Sequence, residues 1–189
     1  MDFNGYVAIT GGIGSGKSVI CQRLERRGIK VYDCDNAAKR LLKESDSLRS
    51  KMCSLVGNNL YADDILQKVV LTEFLLRSDD NKQAVNDIVH PFVADDFLHS
   101  GCHWLESAVL FESGFDKRVH FDVVICVTAP LDLRIKRIME RDHISEKKTL
   151  EWINCQMPQD EMLAKSNFNL VSGREDIEQQ IDKLLTKIK

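Results

Sequence analysis

Strand-like and helix-like segments alternate along this sequence of 189 residues, which predicts an α/β fold with helices on both faces of a parallel sheet. Residues 121–127 form a β-branched, nearly continuous apolar run, which is typical of a buried parallel strand. The first apolar run, at residues 6–9, is followed directly by a glycine-rich loop. Five strands are therefore expected, at residues 5–10, 30–32, 104–110, 121–128 and 167–171.

The glycine-rich loop matches the phosphate-loop pattern G-x-x-x-x-G-K-[ST] through Gly11, Gly12, Ile13, Gly14, Ser15, Gly16, Lys17 and Ser18. Glycines allow successive backbone N–H groups to turn inward around a polyphosphate, and the N-terminus of the following helix adds partial positive charge. Lys17 would reach the terminal phosphates, and the Ser18 hydroxyl would ligate Mg²⁺. The alternative is a glycine-rich turn that binds no ligand. It is disfavoured because a strand precedes the loop and a helix follows it, which is the context that the phosphate-loop pattern requires. The pattern predicts that all eight residues bind a nucleoside triphosphate, and it predicts the three-layer α/β/α fold of P-loop NTPases.

Composition excludes several classes of protein. A net charge of −3 gives no electrostatic reason to expect a nucleic acid partner. No apolar run approaches the ~20 residues that span a bilayer, and no secretory pattern begins the chain, so we expect a cytoplasmic protein without a membrane partner. The six cysteines contain no C-x-x-C pair and resemble neither a disulfide framework nor a zinc site.

Two stretches between the strands are too long for simple crossovers. Residues 36–100 carry helical apolar stripes, at Ile65, Leu66, Val69, Val70 and Phe74 and again at Ala84, Val85, Ile88 and Val89. They predict an all-helical insertion above the carboxyl edge of the sheet, where open α/β folds bind ligands. A second charged, helical insertion is predicted at residues 131–165. With three prolines, ten glycines and no flexible linker, residues 1–189 are predicted to form one domain.

Two carboxylates, Asp33 and Asp35, follow the short second strand. Residues two apart in an extended chain point to the same side, so both could face the phosphate loop. One carboxylate would then accept the proton of an attacking hydroxyl, and the other would help to hold Mg²⁺ through water. The alternative is an acidic strand end or the N-cap of the next helix.

An acidic residue at the end of an apolar strand, which ATPases and GTPases use to position water or metal, is hard to find. Glu112 comes closest, at the expected carboxyl end of the third strand. This weak match favours a small-molecule kinase over a nucleotide-hydrolysing motor or switch.

Six motifs in order make the chain resemble a known family. They are residues 9–18, the Asp-Cys-Asp of 33–35, the Val-His-Pro of 89–91, the Val-Leu-Phe-Glu-Ser-Gly of 109–114, residues 137–142 and the Gln-Met-Pro of 156–158. This set resembles the dephospho-coenzyme A kinases, which transfer a phosphoryl group from ATP to the ribose 3′-hydroxyl of dephospho-CoA. The resemblance spans positions 5 to about 175, and the ordered set is far more specific than the phosphate loop alone.

The resemblance implies a role for each matching residue. Asp33 would be the base for the acceptor hydroxyl, and Asp35 would lie beside it at the acceptor and metal site. His90 would bind the acceptor from the helical insertion, and Glu112 would close the acceptor side of the cleft. Lys17 would act in catalysis, as would Arg141, and Arg137 and Arg141 would lie in a lid, at residues 131–165, that folds over ATP. If the resemblance is set aside, His90 is expected to be a helix-boundary residue before Pro91, and Arg137 and Arg141 are expected to lie on an exposed charged helix.

The chain departs from the family pattern at several positions. Arg134 stands where a glutamine is usual, Trp152 where an arginine is usual, Met162 where a lysine is usual, Asn167 where an aspartate is usual and Ala108 where a proline is usual. If the missing arginine acted on transition-state charge, its loss would cost ~10³–10⁵ in rate, the range for arginine fingers. Arg134 and Lys165 are the candidates to replace it.

The sequence thus predicts an ATP-dependent, Mg²⁺-dependent kinase for dephospho-CoA, which acts as a monomer or weak oligomer. Two alternatives stay open. One is a P-loop kinase for a nucleoside or nucleoside monophosphate, and the other is a non-catalytic nucleotide-binding protein whose lid has decayed.

Overall fold

The structure, a computed structural model, describes residues 4–174 and 176–188. The strands are β1 (Val7–Thr10), β2 (Val31–Asp33), β3 (Tyr61–Ala62), β4 (Ile65–Leu66), β5 (Trp104–Glu106), β6 (Val123–Thr128) and β7 (Phe168–Val171). The helices are α1 (Lys17–Glu25), α2 (Cys34–Glu44), α3 (Asp46–Val56), α4 (Lys68–Arg77), α5 (Asp79–His99), α6 (Phe115–Arg118), α7 (Leu131–Asp142), α8 (Glu146–Asn154), α9 (Gln159–Ala164) and α10 (Ile177–Lys187), with a short 3-10 helix at Asn58–Leu60.

Five strands form one sheet in the order β2-β5-β1-β6-β7. β1 pairs in parallel with β5 and with β6, and β6 pairs in parallel with β7. All five strands were expected from the sequence, and the α/β fold class is confirmed. Since β1 is the central strand, the loop that follows it begins in the middle of the sheet's carboxyl edge.

One face of the sheet is covered by α1 and α10. Their apolar side chains pack with alternate residues of the central strands into one core cluster, which includes Val7, Ile9, Ile20, Leu24, Ile125, Val127, Ile177, Ile181, Leu184 and Leu185. The stripe predicted for the last helix is therefore confirmed. This packing fixes the axis of α1, the helix whose N-terminus follows the glycine-rich loop.

The chain divides into two compact units. The first comprises the described residues up to Tyr32 and those from Cys102 onward, and it holds the glycine-rich loop and α6 to α10. The second is Asp33–Gly101, within which the predicted insertion at 36–100 falls. There α2, α3 and α4 all pack against α5, whose buried face includes Val85, Val89, Val93 and Phe97.

A β-hairpin makes the prediction of an all-helical insertion wrong. β3 and β4 pair antiparallel through Tyr61 with Leu66 and through Ala62 with Ile65. Asp63 and Asp64 form the turn, with φ of 47° and 64°. Positive φ at both central residues is the geometry of the two-residue turns that favour Asn, Asp and Gly, so the turn chemistry outweighed the apparent helical stripe.

Pro91 does not begin a new helix, because it lies inside the continuous helix α5. An internal proline costs about 3 kcal/mol or more. The apolar residues on either side, Val89 and Val93, are both buried, and this packing holds the helix together across the proline. His90 is therefore a half-buried mid-helix residue rather than a helix-boundary residue. None of the helices in the described ranges is both long and apolar enough to span a bilayer.

We expect Ile181→Ala to lower the free energy of unfolding by about 2–5 kcal/mol, because it removes a buried aliphatic side chain from the α10 stripe. Ile181 is fully buried in the cluster that joins α10 to the sheet. Urea denaturation would measure the loss. Lys183→Ala, at an exposed position of the same helix, is the matched control and should change the value by less than about 0.5 kcal/mol. Equal effects of the two changes would contradict the packing of α10 against the sheet.

Candidate active site

The glycine-rich loop connects β1 to α1 and can be built only with glycine at critical positions. Gly11 has φ of +146°, and a Cβ there would lie 2.2 Å from the carbonyl oxygen of Val127 in β6. Gly16 has φ of +93° and is the N-cap of α1. Both backbone conformations are ones that residues with side chains rarely adopt. The loop is thus held close against the sheet while its chain reverses into the helix.

Lys17, the first residue of α1, has its side chain folded back over this loop. Its Nζ donates to the carbonyl oxygen of Gly11 at 2.7 Å and lies 3.8 Å from Oε1 of Glu106. Both side chains are largely buried, with 9% and 14% of their surfaces exposed. The ammonium therefore sits between the start of the loop and a carboxylate, at the sheet edge where the sequence predicted a phosphate site.

Glu106 is a site residue that the sequence prediction missed. The third strand of the sheet was expected to run over residues 104–110, but β5 ends at Glu106, and residues 108–114 form turns. The apolar residues Val109 and Leu110, which suggested a longer strand, lie in this turn region; Leu110 is fully buried there. The acidic residue at the carboxyl end of an apolar strand is therefore Glu106 and not Glu112. The segment Trp104-Leu105-Glu106 is the pattern that could have identified it.

Glu112 instead contacts the segment between α8 and α9. Its Oε1 accepts a hydrogen bond from the backbone N–H of Met157 at 3.0 Å. The neighbouring Gln156 accepts one from the N–H of Ile13, in the glycine-rich loop, at 2.6 Å. The Gln-Met-Pro segment thus joins the turn after β5 to the loop after β1.

Two arginines of α7 hold the outer side of the loop. Arg137 Nη1 donates to the carbonyl oxygens of Gly14 and Ser15, at 3.1 and 3.2 Å, and to Oγ of Ser172 at 2.8 Å. Arg134 Nε donates to the carbonyl oxygen of Ile13 at 2.9 Å. Together with the Lys17 bond to Gly11, these contacts place cationic donors on four of the loop's carbonyl groups. Burial of the Arg134 side chain lowers the pKa of its guanidinium.

Arg141, predicted to contact phosphate, is bound to the adjacent Asp142. Its side chain is 61% exposed, and its Nη2 lies 2.7 Å from Oδ2 of Asp142. The same hydrogen bond raises the pKa of Arg141 and lowers the pKa of Asp142. Of the two predicted lid arginines, the structure brings Arg137 to the loop and leaves Arg141 at the exposed end of α7.

A pocket of about 270 Å³ opens beside the loop. Gly16 connects the pocket to the glycine-rich loop and Arg137 connects it to α7, and Ser172 and Gly173 border it after β7. Its apolar side is formed by Val19, Ile20 and Ile177. A flat apolar group attached to a polyphosphate would fit this combination of apolar wall and adjacent guanidinium.

The residues that depart from the family pattern have different environments. Met162 is fully buried in α9, so an apolar side chain suits its position. Asn167 pairs with β6, because its Oδ1 accepts from the Val124 N–H at 2.7 Å and its own N–H donates to Val124 O at 2.8 Å. Trp152 is 36% exposed on α8. Lys165, a candidate to replace the missing arginine, has its Nζ 5.4 Å from the centroid of the Phe111 ring.

In the second unit, Asp33 is the N-cap of α2. Its Oδ1 accepts from the backbone N–H of Asn36 at 2.9 Å, and its Oδ2 accepts from Asn36 Nδ2 at 2.8 Å. A helix N-cap was one alternative predicted for this acidic pair, and the cap falls on Asp33 and not on Asp35, which directly precedes Asn36. The prediction that Asp33 and Asp35 point to the same side assumed an extended chain. It is wrong, because α2 already begins at Cys34 and Asp35 lies exposed in its first turn. His90 lies on α5 of the same unit.

Comparison with known proteins agrees with the resemblance. The family model described as dephospho-CoA kinase matches residues 5–175. A dephospho-CoA kinase of Porphyromonas gingivalis is 39% identical over 170 residues, covering 85% of this chain and 81% of the relative. A dephospho-CoA kinase of Bacteroides fragilis is 35% identical over 176 residues, covering 89% of this chain and 85% of the relative.

A solved structure of dephospho-CoA kinase from Campylobacter jejuni superposes with a TM-score of 0.67 at 22% sequence identity, covering 97% of this chain and 96% of the other. At that identity the superposition supports the fold alone. The sequence match extends over nearly the whole chain, and the structure has the glycine-rich loop, its lysine and the three-layer α/β arrangement that a P-loop kinase requires. This chain belongs to the dephospho-CoA kinase family.

Proposed function

We propose that this protein transfers the γ-phosphoryl group of ATP to the ribose 3′-hydroxyl of dephospho-CoA, giving coenzyme A and ADP. The observation that carries the proposal is the position of Lys17, buried between the Gly11 carbonyl and the Glu106 carboxylate at the start of a phosphate loop. Family membership supplies the acceptor, which the phosphate loop alone does not define.

The loop supports phosphate binding through the direction of its peptide groups. A trans peptide directs its C=O and N–H to opposite sides. Arg134 and Arg137 hold the carbonyls of Ile13, Gly14 and Ser15 from outside, so the following N–H groups are turned away from the arginines. The Ser15 N–H bonds to the Gly12 carbonyl and closes a turn within the loop. The remaining amides and Lys17 would stabilise the charge that develops on the transferring phosphoryl group.

The pocket beside Gly16 supports a nucleoside triphosphate as donor. We assign the adenine to its apolar wall at Val19, the exposed apolar residue of the lining, with the Arg137 guanidinium beside the ring. A guanidinium lies favourably against an aromatic face. Gly16 belongs both to the pocket and to the loop, so a base bound there leaves its phosphates beside the loop amides.

The residues at the loop fit a magnesium ion carried with ATP. Ser18 is exposed immediately after Lys17, and Glu106 ends the neighbouring strand. Within the described ranges, no three His, Cys, Asp or Glu side chains cluster into a metal site. This suits Mg²⁺, which usually keeps several waters and takes few protein ligands. Ser18 would hold the ion directly, and Asp35 and Glu106 through water; when bound, the ion neutralises charge on the phosphates.

The acceptor residues follow from the family resemblance. Asp33 would accept the proton of the 3′-hydroxyl as it attacks, and Asp35, His90 and Glu112 would bind the acceptor. Arg141 would approach the phosphates when the lid of residues 131–165 closes, and closure would exclude water so that ATP is not hydrolysed. A cytoplasmic location and a monomeric or weakly oligomeric state remain predictions from the sequence.

Asp33→Asn should abolish phosphoryl transfer and leave ATP affinity nearly unchanged. Asparagine caps a helix as well as aspartate does, so the α2 cap at Asn36 should survive while the proton acceptor is lost. ADP formation with dephospho-CoA would report turnover, titration calorimetry would report ATP binding, and a thermal midpoint near that of the parent would show that the cap is intact. Retention of more than a small fraction of activity would mean that another group is the base.

Glu106→Gln should reduce turnover by about 10–100-fold, the range for removal of a residue that orients a metal's ligands. It should also raise the Mg²⁺ concentration needed for half-maximal activity, because the site loses a carboxylate near Lys17. Initial rates over a series of Mg²⁺ concentrations would measure both effects. Glu25→Gln, at an exposed position at the other end of α1, is the control and should behave as the parent does. An unchanged Mg²⁺ dependence in Glu106→Gln would remove Glu106 from the metal site.

The proposed acceptor is tested by ADP formation from MgATP with dephospho-CoA, beside a panel of nucleosides and nucleoside monophosphates. Turnover with dephospho-CoA alone is expected. Turnover with another acceptor instead would support kinase activity and would exclude dephospho-CoA as the substrate. ATP binding without turnover on any acceptor would favour the non-catalytic alternative.

A further inference from the structure

Arg134 is an almost fully buried cation that lies directly against the phosphate loop. Its side chain extends from α7, and only 6% of the residue's surface is exposed. Nε bonds to the Ile13 carbonyl oxygen at 2.9 Å, and Nη2 lies 2.5 Å from the position that a Cβ on Gly12 would take. Because Gly12 has no side chain, there is room for the Arg134 guanidinium at this place.

The charge of Arg134 has no carboxylate partner among the described residues. No ion pair within residues 4–174 and 176–188 includes it, and its hydrogen bond goes to a neutral carbonyl group. The nearby thiol of Cys126 is neutral at pH 7, since burial raises the pKa of Cys126 to about 11. Lys17 differs, because it lies 3.8 Å from Glu106. An unpaired buried charge is unfavourable, and bound anions nearby would offset that cost.

The same guanidinium also fixes one peptide of the loop. The peptide between Ile13 and Gly14 has its C=O on Arg134, and its N–H, carried by Gly14, therefore points to the other side. Gly14 has φ of +76°, a conformation that glycine adopts readily and that residues with side chains rarely adopt. Without a donor on the Ile13 carbonyl, this peptide is free to flip and to present oxygen instead of N–H to a phosphate.

We propose that Arg134 is a positioning residue for the donor polyphosphate, which holds the Gly14 N–H toward the phosphates and supplies a fixed positive charge behind the loop. The inference rests on the proposed function, because it requires that ATP binds at this loop. Arg134 acts through the Ile13–Gly14 peptide and makes no contact with the acceptor.

Arg134→Gln, which removes the charge at similar length, should weaken the binding of MgATP and of magnesium tripolyphosphate by about 10–100-fold, as expected for a lost charge-assisted interaction. The thermal midpoint of the ligand-free protein should stay the same or rise, because the variant no longer buries an unpaired cation. Turnover should show a raised KM for ATP and a lowered kcat, with KM for dephospho-CoA unchanged. The amide signal of Gly14 in NMR spectra should shift on ATP addition in the parent and much less in the variant.

Two further variants separate charge from hydrogen bonding and from general effects. Arg134→Lys keeps a charge but loses the planar Nε donor, so its affinity for tripolyphosphate should lie between those of the parent and Arg134→Gln. Arg118→Gln is the matched control, since Arg118 also donates to two backbone carbonyls, of Ser113 and Gly114, but in a different loop. It should leave tripolyphosphate affinity unchanged.

The outcomes are distinct. If the parent binds no MgATP, the proposed function itself fails. If the parent binds and Arg134→Gln binds tripolyphosphate equally well, only the role of Arg134 is wrong. A lower thermal midpoint with unchanged affinity would make Arg134 purely structural, and equal affinities of the Lys and Gln variants would exclude the contribution of charge. Should Arg134→Gln not fold, undiminished tripolyphosphate affinity in Arg134→Lys would overturn the proposal.

Discussion

The site depends on one constraint, which is that the carbonyl groups of the glycine-rich loop must find partners on the side away from the phosphates. Buried backbone polar groups are almost always paired. Here the partners are guanidinium groups, with Arg134 on Ile13 and Arg137 on Gly14 and Ser15. Because each peptide that binds a cation through its oxygen turns its N–H the other way, the positions of these side chains determine where the loop's donors point.

The sheet and α7 supply this constraint from two directions. Gly11 approaches the Val127 carbonyl of β6 so closely that a side chain would collide with it, and this sets the start of the loop against the central strands. Gly14 packs against the backbone of Arg134 in the same manner, with the Arg134 carbonyl oxygen 2.8 Å from the position of a Cβ. The loop therefore lies between β6 and α7, and a movement of α7 would change the loop's hydrogen bonds.

Local patterns were sufficient for the sheet, the loop and α10, because each of these carries a strong periodic or motif signal over adjacent residues. They failed where tertiary packing or turn chemistry decided the structure. The apolar pair Val109 and Leu110 extended the apparent third strand past Glu106, and Asp63 and Asp64 made a hairpin where apolar spacing suggested a helix. The bond from Arg134 to Ile13 joins residues 121 positions apart, and no local pattern predicts such a contact.

The departures from the family pattern affect different parts of the molecule. Met162 and Asn167 are accounted for by folding, since one fills a buried position in α9 and the other pairs with Val124 at the start of β7. Trp152 removes an expected positive charge from α8, and Arg134 adds one against the phosphate loop. Relative to the family pattern, residues 131–165 thus lose a positive charge at Trp152 and another at Met162, and gain one at Arg134 beside the loop. Arg134 is itself one of the residues 131–165 predicted to form a lid, and its buried bond to the Ile13 carbonyl ties the first part of that segment to the loop.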